Sequence, residues 1–184
     1  MGGTRHKFRR QILFYFTYCS MMTEPIVFIV DDDAAVRDSL TLMIRQADIN
    51  VESFENAKTF LDAYRSDFFG CIILDVKMPG MDGLRLQEEL TLRKIPLPII
   101  FLTGHGDIPM SVRAIKSGAV DFLTKPVIRE RLLVSVHAAF AEARKRNNDI
   151  AHNRAALSCL VKLTEREREV MDLAVKGYAN KEIA

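Results

Sequence analysis

The chain has 184 residues, 48% of them hydrophobic, with 26 Lys and Arg against 24 Asp and Glu. That composition excludes global disorder and leaves room for one domain of ordinary size plus part of another. Charge is segregated: residues 1–22 hold four Lys/Arg and no acid, residues 23–127 hold 11 basic and 16 acidic groups, and residues 128–184 hold 11 and eight. An acidic middle suits a cation site, and a mildly basic tail is compatible with nucleic acid. Cys19, Cys71 and Cys159 have no close pairing and read as reduced thiols of a cytoplasmic protein. His6, His105, His137 and His152 lack metal-ligand spacing, and no apolar run has the length of a membrane span.

The chain opens on Arg5-His6-Lys7-Phe8-Arg9-Arg10 and an apolar run from Ile12 to Cys19, which imitates an export signal without a small-x-small cleavage site. Met21-Met22 stands just before the first strand. Residues 1–22 are therefore read as an upstream translation artefact or a dispensable extension, outside the fold.

Four short apolar runs follow, each ending on a polar group. Ile26 to Val30 precedes Asp31-Asp32-Asp33, Cys71 to Leu74 precedes Asp75, Pro98 to Leu102 precedes Thr103, and Val120 to Thr124 precedes Lys125-Pro126. Short runs rich in Ile, Val and Phe read as buried strands of a parallel sheet. Between them, Val36, Leu40, Met43, Ile44 and Ala47 recur at helical spacing, predicting a helix over 34–47. Val51 to Phe54 is a further strand, and Asn56 can cap a helix burying Ala57, Phe60, Leu61 and Tyr64. Met78-Pro79-Gly80-Met81-Asp82-Gly83 is a turn-rich loop before a helix over 84–92. Asp107 and Pro109 open a helix with Val112 and Ile115 inward, which Gly118 ends. A last strand over 120–123 and a helix bearing Leu132, Leu133, Val136 and Phe140 close the unit. The alternation predicts an α/β domain over 23–142, a doubly wound five-stranded parallel sheet with helices on both faces. Sites in such sheets form beyond the carboxyl ends of the strands. Three acids, a hydroxyl and an ammonium converge there, the equipment for binding a divalent cation and moving a phosphoryl group.

From Arg144 to Asp149 the chain turns polar, and residues 143–162 read as a helical linker whose seam, broken by Arg146 and Asn153, is too polar for a stable coiled coil. Thr164-Glu165-Arg166-Glu167 is a capping-box sequence that starts a helix with Val170, Leu173 and Ala174 inward and Gly177 at its end. Another helix begins at Asn180. Residues 163–184 read as the opening of a small all-α domain.

Val30-Asp31-Asp32-Asp33, Leu74-Asp75 to Gly83, Thr103-Gly104-His105-Gly106-Asp107 and Lys125-Pro126 together resemble the receiver domain of two-component response regulators, over residues 25 to about 140. Leu163 to Val170, with Gly177 and Asn180 to Ala184, resembles the start of a LuxR-type helix-turn-helix. The pair is similar to the NarL/FixJ subfamily of transcriptional regulators. The resemblance implies a flavodoxin-like sheet, with Asp75 accepting a phosphoryl group from a histidine kinase. It also implies Mg²⁺ held by Asp31, Asp32, Asp75 and the backbone carbonyl of Lys77. Lys125 and Thr103 would contact the phosphoryl oxygens, Thr103 and Phe122 would switch together, and Lys77 and His105 would tune dephosphorylation. Phosphorylation would drive homodimerisation on a face including Val112, Lys116, Asp121 and Arg129. Such a protein is not an enzyme in the ordinary sense, although a receiver promotes its own phosphorylation and dephosphorylation.

Each residue also has a plainer reading. Asp33 suits a helix cap, Asp82 a loop-shaping role, Phe122 the core, Lys125 a solvated surface, and Lys77 and His105 solvated loops. The resemblance allows a cis bond before Pro126. The recognition helix that carries major-groove contacts in the family would follow Ala184, so DNA binding is expected of the full-length protein rather than of this sequence. Ala179 stands where the family places a Ser or Thr cap, a loss worth about 1 kcal/mol. A single-domain receiver acting as a phosphate sink or a dominant-negative partner is the alternative. A haloacid dehalogenase-type phosphatase needs a second Asp where Lys77 stands, and no Gly-rich loop follows any strand to cradle a nucleotide.

Overall fold

A computed structural model of the chain describes residues 24–104 and 117–161, with side chains as far as residue 152. The expectations for residues 1–22, for His105 and the helix of Val112 and Ile115, and for 163–184 lie outside the described residues.

Five strands form one sheet: β1 (Ile26–Val30), β2 (Asn50–Phe54), β3 (Gly70–Asp75), β4 (Ile99–Thr103) and β5 (Asp121–Thr124). All four pairings are parallel and the order is β2-β1-β3-β4-β5. The order reverses between β1 and β3, so a crevice opens beyond their carboxyl ends, where Asp31 and Asp75 stand. The helices are α1 (Ala34–Arg45), α2 (Ala57–Ala63), α3 (Gly83–Leu92) and α4 (Arg129–Val161).

Side chains alternate across a strand, so one run of apolar residues feeds two cores. Phe28, Val30, Ile72, Leu74 and Phe101 face one side, where they pack with Phe60 of α2 and Leu86 and Leu90 of α3. Val27, Ile29, Ile73, Ile100 and Leu102 face the other, against Leu40 and Ile44 of α1 and Leu132, Val136 and Phe140 of α4. Each fully buried aliphatic or aromatic side chain contributes about 1.5–3 kcal/mol, which is why central strands without polar relief are tolerated. The close joint between β1 and β3 needs Gly70, whose φ is +147° and where a Cβ would lie 1.8 Å from the Ile26 carbonyl oxygen.

Several bounds differ from the sequence reading; the first helix, expected over 34–47, ends at Arg45. The last strand spans 121–124, one residue later than expected. The helix closing the sheet and the polar linker are a single α-helix, Arg129–Val161, because Arg144, Lys145 and Arg146 are good helix formers and the span holds no Gly or Pro to stop it at Asn147, Asn148 or Asp149. The chain divides into compact units of residues 1–144 and 145–184. Among the described residues no helix is long and apolar enough to cross a membrane.

Candidate functional site

The three consecutive acids after β1 have three different environments. Asp31 is fully buried, and its Oδ1 accepts the Asp33 N–H at 2.9 Å. Asp32 is exposed. Asp33 caps α1, its Oδ1 accepting the N–H groups of Ala35 at 2.9 Å and Val36 at 3.4 Å. The plain reading of Asp33 as a cap therefore holds, and it leaves Asp31 and Asp32 to the crevice. Arg37, one turn into α1, donates from Nη1 to the Asp31 carbonyl at 2.8 Å.

Asp75 ends β3 and is 6% exposed, beside the other two acids. Carboxylate oxygens of Asp31, Asp32 and Asp75 all lie within 4.8 Å of one another. Lys125 follows β5, its backbone N–H bonded to the Thr103 carbonyl at 2.7 Å, and its peptide bond to Pro126 is cis. Its Nζ sits 2.7 Å from Asp31 Oδ2 and 3.2 Å from Asp75 Oδ1. One ammonium thus bridges two of the three carboxylates. Burial pushes the Asp75 carboxyl above the usual carboxylate range; Asp31 and Asp32 push the same way and Lys125 opposes them. Burial lowers the Lys125 ammonium, but its hydrogen bonds and charge contacts with Asp31 and Asp75 more than compensate, and it stands above its ordinary value.

Thr103 ends β4 opposite Thr124 and is 2% exposed. Phe122, in the neighbouring strand, is half-buried with its ring centroid 6.4 Å from that of Phe101. Its N–H donates to the Asp121 carboxylate at 2.8 Å, and the other oxygen of that carboxylate accepts from Ser135 Oγ of α4. Lys77 lies exposed on the loop after β3, on a surface depression lined also by Met78, Pro79 and Asp82. His105 lies outside the described residues. The structure therefore brings Asp31, Asp32, Asp75 and Lys125 together, with Thr103 at the end of the next strand.

The donor set fits a hard divalent cation: three carboxylates, one of them open to solvent, carrying more negative charge than one lysine offsets. Two positions matter that sequence reading passed over. Gly83 opens α3 so close to β3 that a Cβ there would lie 2.3 Å from the Asp75 carbonyl oxygen, and its N–H bonds the Val76 carbonyl at 3.0 Å. Its place after Asp82, which caps α3 by accepting the Arg85 N–H at 2.8 Å, was the available signal. Arg37 left no sequence signal, because an arginine on an amphipathic helix ordinarily faces solvent.

Comparison with known proteins agrees with this geometry. The response regulator receiver domain family matches residues 27–137, and the family of bacterial regulatory proteins of the luxR type matches residues 161–184. The transcriptional regulatory protein FixJ of Bradyrhizobium diazoefficiens is 42% identical over 166 residues, covering 89% of this chain and 80% of that protein. The transcriptional regulatory protein TdiR of Thauera aromatica is 46% identical over 158 residues, covering 86% of this chain and 70% of that protein. The solved structure of response regulator StyR superposes with a TM-score of 0.76 at 42% identity, covering 88% of this chain and 82% of that one. The chain belongs to the response regulators, a receiver domain joined to a LuxR-type DNA-binding domain, of the FixJ/NarL type.

Proposed function

We propose that this chain is the phosphoacceptor of a two-component phosphorelay, taking a phosphoryl group from a histidine kinase onto Asp75 and using it to switch dimerisation and transcription. The observation that carries this reading is the meeting of Asp31, Asp32, Asp75 and Lys125 at the carboxyl ends of three strands. An ionised Asp75 oxygen attacks phosphorus; the P–N bond to the donor imidazole breaks, its electron pair stays on nitrogen, and the nitrogen takes up a proton. Such transfers need positioning and charge neutralisation more than covalent help. Asp31, Asp32, Asp75 and the Lys77 backbone carbonyl would hold Mg²⁺, which when bound supplies charge neutralisation at the phosphoryl oxygens.

Lys125, now shared between Asp31 and Asp75, turns from Asp75 to a phosphoryl oxygen. The Thr103 hydroxyl donates to another, and its shift inward makes room for the Phe122 ring, a packed side chain with two arrangements. Lys77, and His105 outside the described residues, tune water attack on the acyl phosphate, so the receiver promotes its own dephosphorylation. The reading takes 23–142 as the receiver, 143–162 as the linker and 163–184 as the beginning of the DNA-binding domain. A cytoplasmic setting accords with the free, buried Cys71 thiol.

Sedimentation of the wild type, Asp75→Asn and Thr103→Ala, each with and without a small phosphodonor and Mg²⁺, tests the switch. The wild type should dimerise more strongly with donor, Asp75→Asn should not respond, and Thr103→Ala should be labelled yet respond weakly. Identical monomer–dimer constants in all samples would overturn it.

A further inference from the structure

We propose that Arg37 is a positioning residue for the acidic site, holding the backbone on which Asp32 is mounted; the proposal rests on the Mg²⁺-dependent reading above. Asp32 is exposed, so packing does not aim its carboxylate into the crevice. Its direction depends on the two peptide groups that flank it. The preceding peptide is held through the Asp31 carbonyl, which accepts from Arg37 Nη1 at 2.8 Å. The following peptide is held through the Asp33 N–H, which donates to Asp31 Oδ1 at 2.9 Å. The Arg37 backbone N–H also donates to the Asp33 carbonyl at 3.1 Å. One residue of α1 therefore grips the turn at both ends, while Asp33 ties the same turn to α1 as its cap. Groups that orient ligands in this way are worth about 10–100-fold in metal affinity.

A positioning role and simple electrostatics predict opposite outcomes. Removing a cation bonded to the Asp31 backbone should tighten Mg²⁺ binding if charge alone mattered, because the field at the site becomes more negative. Removing a positioning group should weaken it.

Isothermal titration of the full chain with MgCl₂, at a temperature where circular dichroism shows every variant folded, separates the two. Arg37→Met should bind Mg²⁺ about tenfold more weakly than the wild type. Arg37→Lys keeps the charge without the planar fork; it should also bind more weakly, by a smaller factor, and it carries the test if the Met variant does not fold. In the Arg37→Met background, Asp32→Asn should cost less affinity than it does in the wild type, since the carboxylate is no longer held in place. Unchanged or tighter binding in the folded Arg37 variants, or an equal cost of Asp32→Asn in both backgrounds, would overturn the role. Absence of Mg²⁺ binding by the wild type would instead overturn the metal reading itself, and this role with it.

Discussion

Replacing Lys125 by Met removes the ammonium that contacts both Asp31 and Asp75 and keeps most of the side-chain volume. An exposed ion pair contributes at most about 1 kcal/mol. Here the carboxylate side chains are only 1% and 8% exposed and that of Lys125 is 22% exposed. Stripping a buried pair of one partner costs about 3–5 kcal/mol, and the partial exposure of Lys125 places the loss near the lower end, about 3 kcal/mol. With a urea dependence of about 1–3 kcal/mol per molar, the unfolding midpoint should fall by about 1–3 M. The assay is urea unfolding followed by far-ultraviolet circular dichroism, in EDTA at pH 7. The deficit should also depend on pH. Without Lys125 the native Asp75 carboxyl, already raised by burial, rises further, so the native state binds more protons than the unfolded one above the ordinary carboxylate range. Stability of the variant therefore recovers as pH falls from 7 to 5, and the gap narrows. Saturating Mg²⁺ should narrow it too, because the variant has lost a competitor for the carboxylates. A loss under about 1 kcal/mol at pH 7, the size expected of an exposed pair, would show that Lys125 does not neutralise buried acids, as would a deficit that ignores both pH and Mg²⁺.

Three further outcomes follow from the same geometry. Asp75→Asn should stabilise the metal-free protein at pH 7; a raised carboxyl loses folding stability as pH rises through its folded value, so the gain should vanish as pH falls into the ordinary carboxylate range, read by thermal unfolding across pH 4–7. Asp32→Asn, at an exposed acid that repels Asp75, should leave or slightly raise metal-free stability, whereas Asp31→Asn should lower it by loosening both Lys125 and the Asp33 N–H, compared by urea midpoints. Gly83→Ala must move α3 off the Asp75 carbonyl, and should cost about 1–3 kcal/mol and slow phosphodonor labelling of Asp75, measured by unfolding and by initial rate.

The sheet was legible in the sequence because each strand is a short apolar run closed by a polar residue, a pattern that buried parallel strands produce with few alternatives. The meeting of Asp31, Asp75 and Lys125 followed from topology alone, since strand ends in a doubly wound sheet share one edge. What stayed hidden was set by pairwise distance. The cap role of Asp33 was readable, but nothing in Asp31-Asp32 says that one acid is sealed and the other open; burial decides that, and burial depends on α1 packing over β1. Repulsion alone would let the loss of either Asp31 or Asp32 stabilise the metal-free fold. The 2.7 Å contact of Asp31 with Lys125 makes those two acids opposite cases. Continuity of α4 was masked by polar residues from Arg144 to Asp149, which signal exposure, and exposure does not end a helix.

The proposed switch depends on which carboxyl group takes the phosphoryl group. Incubation with a small phosphodonor and Mg²⁺, reductive trapping of the acyl phosphate and peptide mass mapping would locate it. A single modified residue, Asp75, is expected, with no label in EDTA. Label on Asp31 or Asp32, or equal labelling of Asp75→Ala, would contradict it.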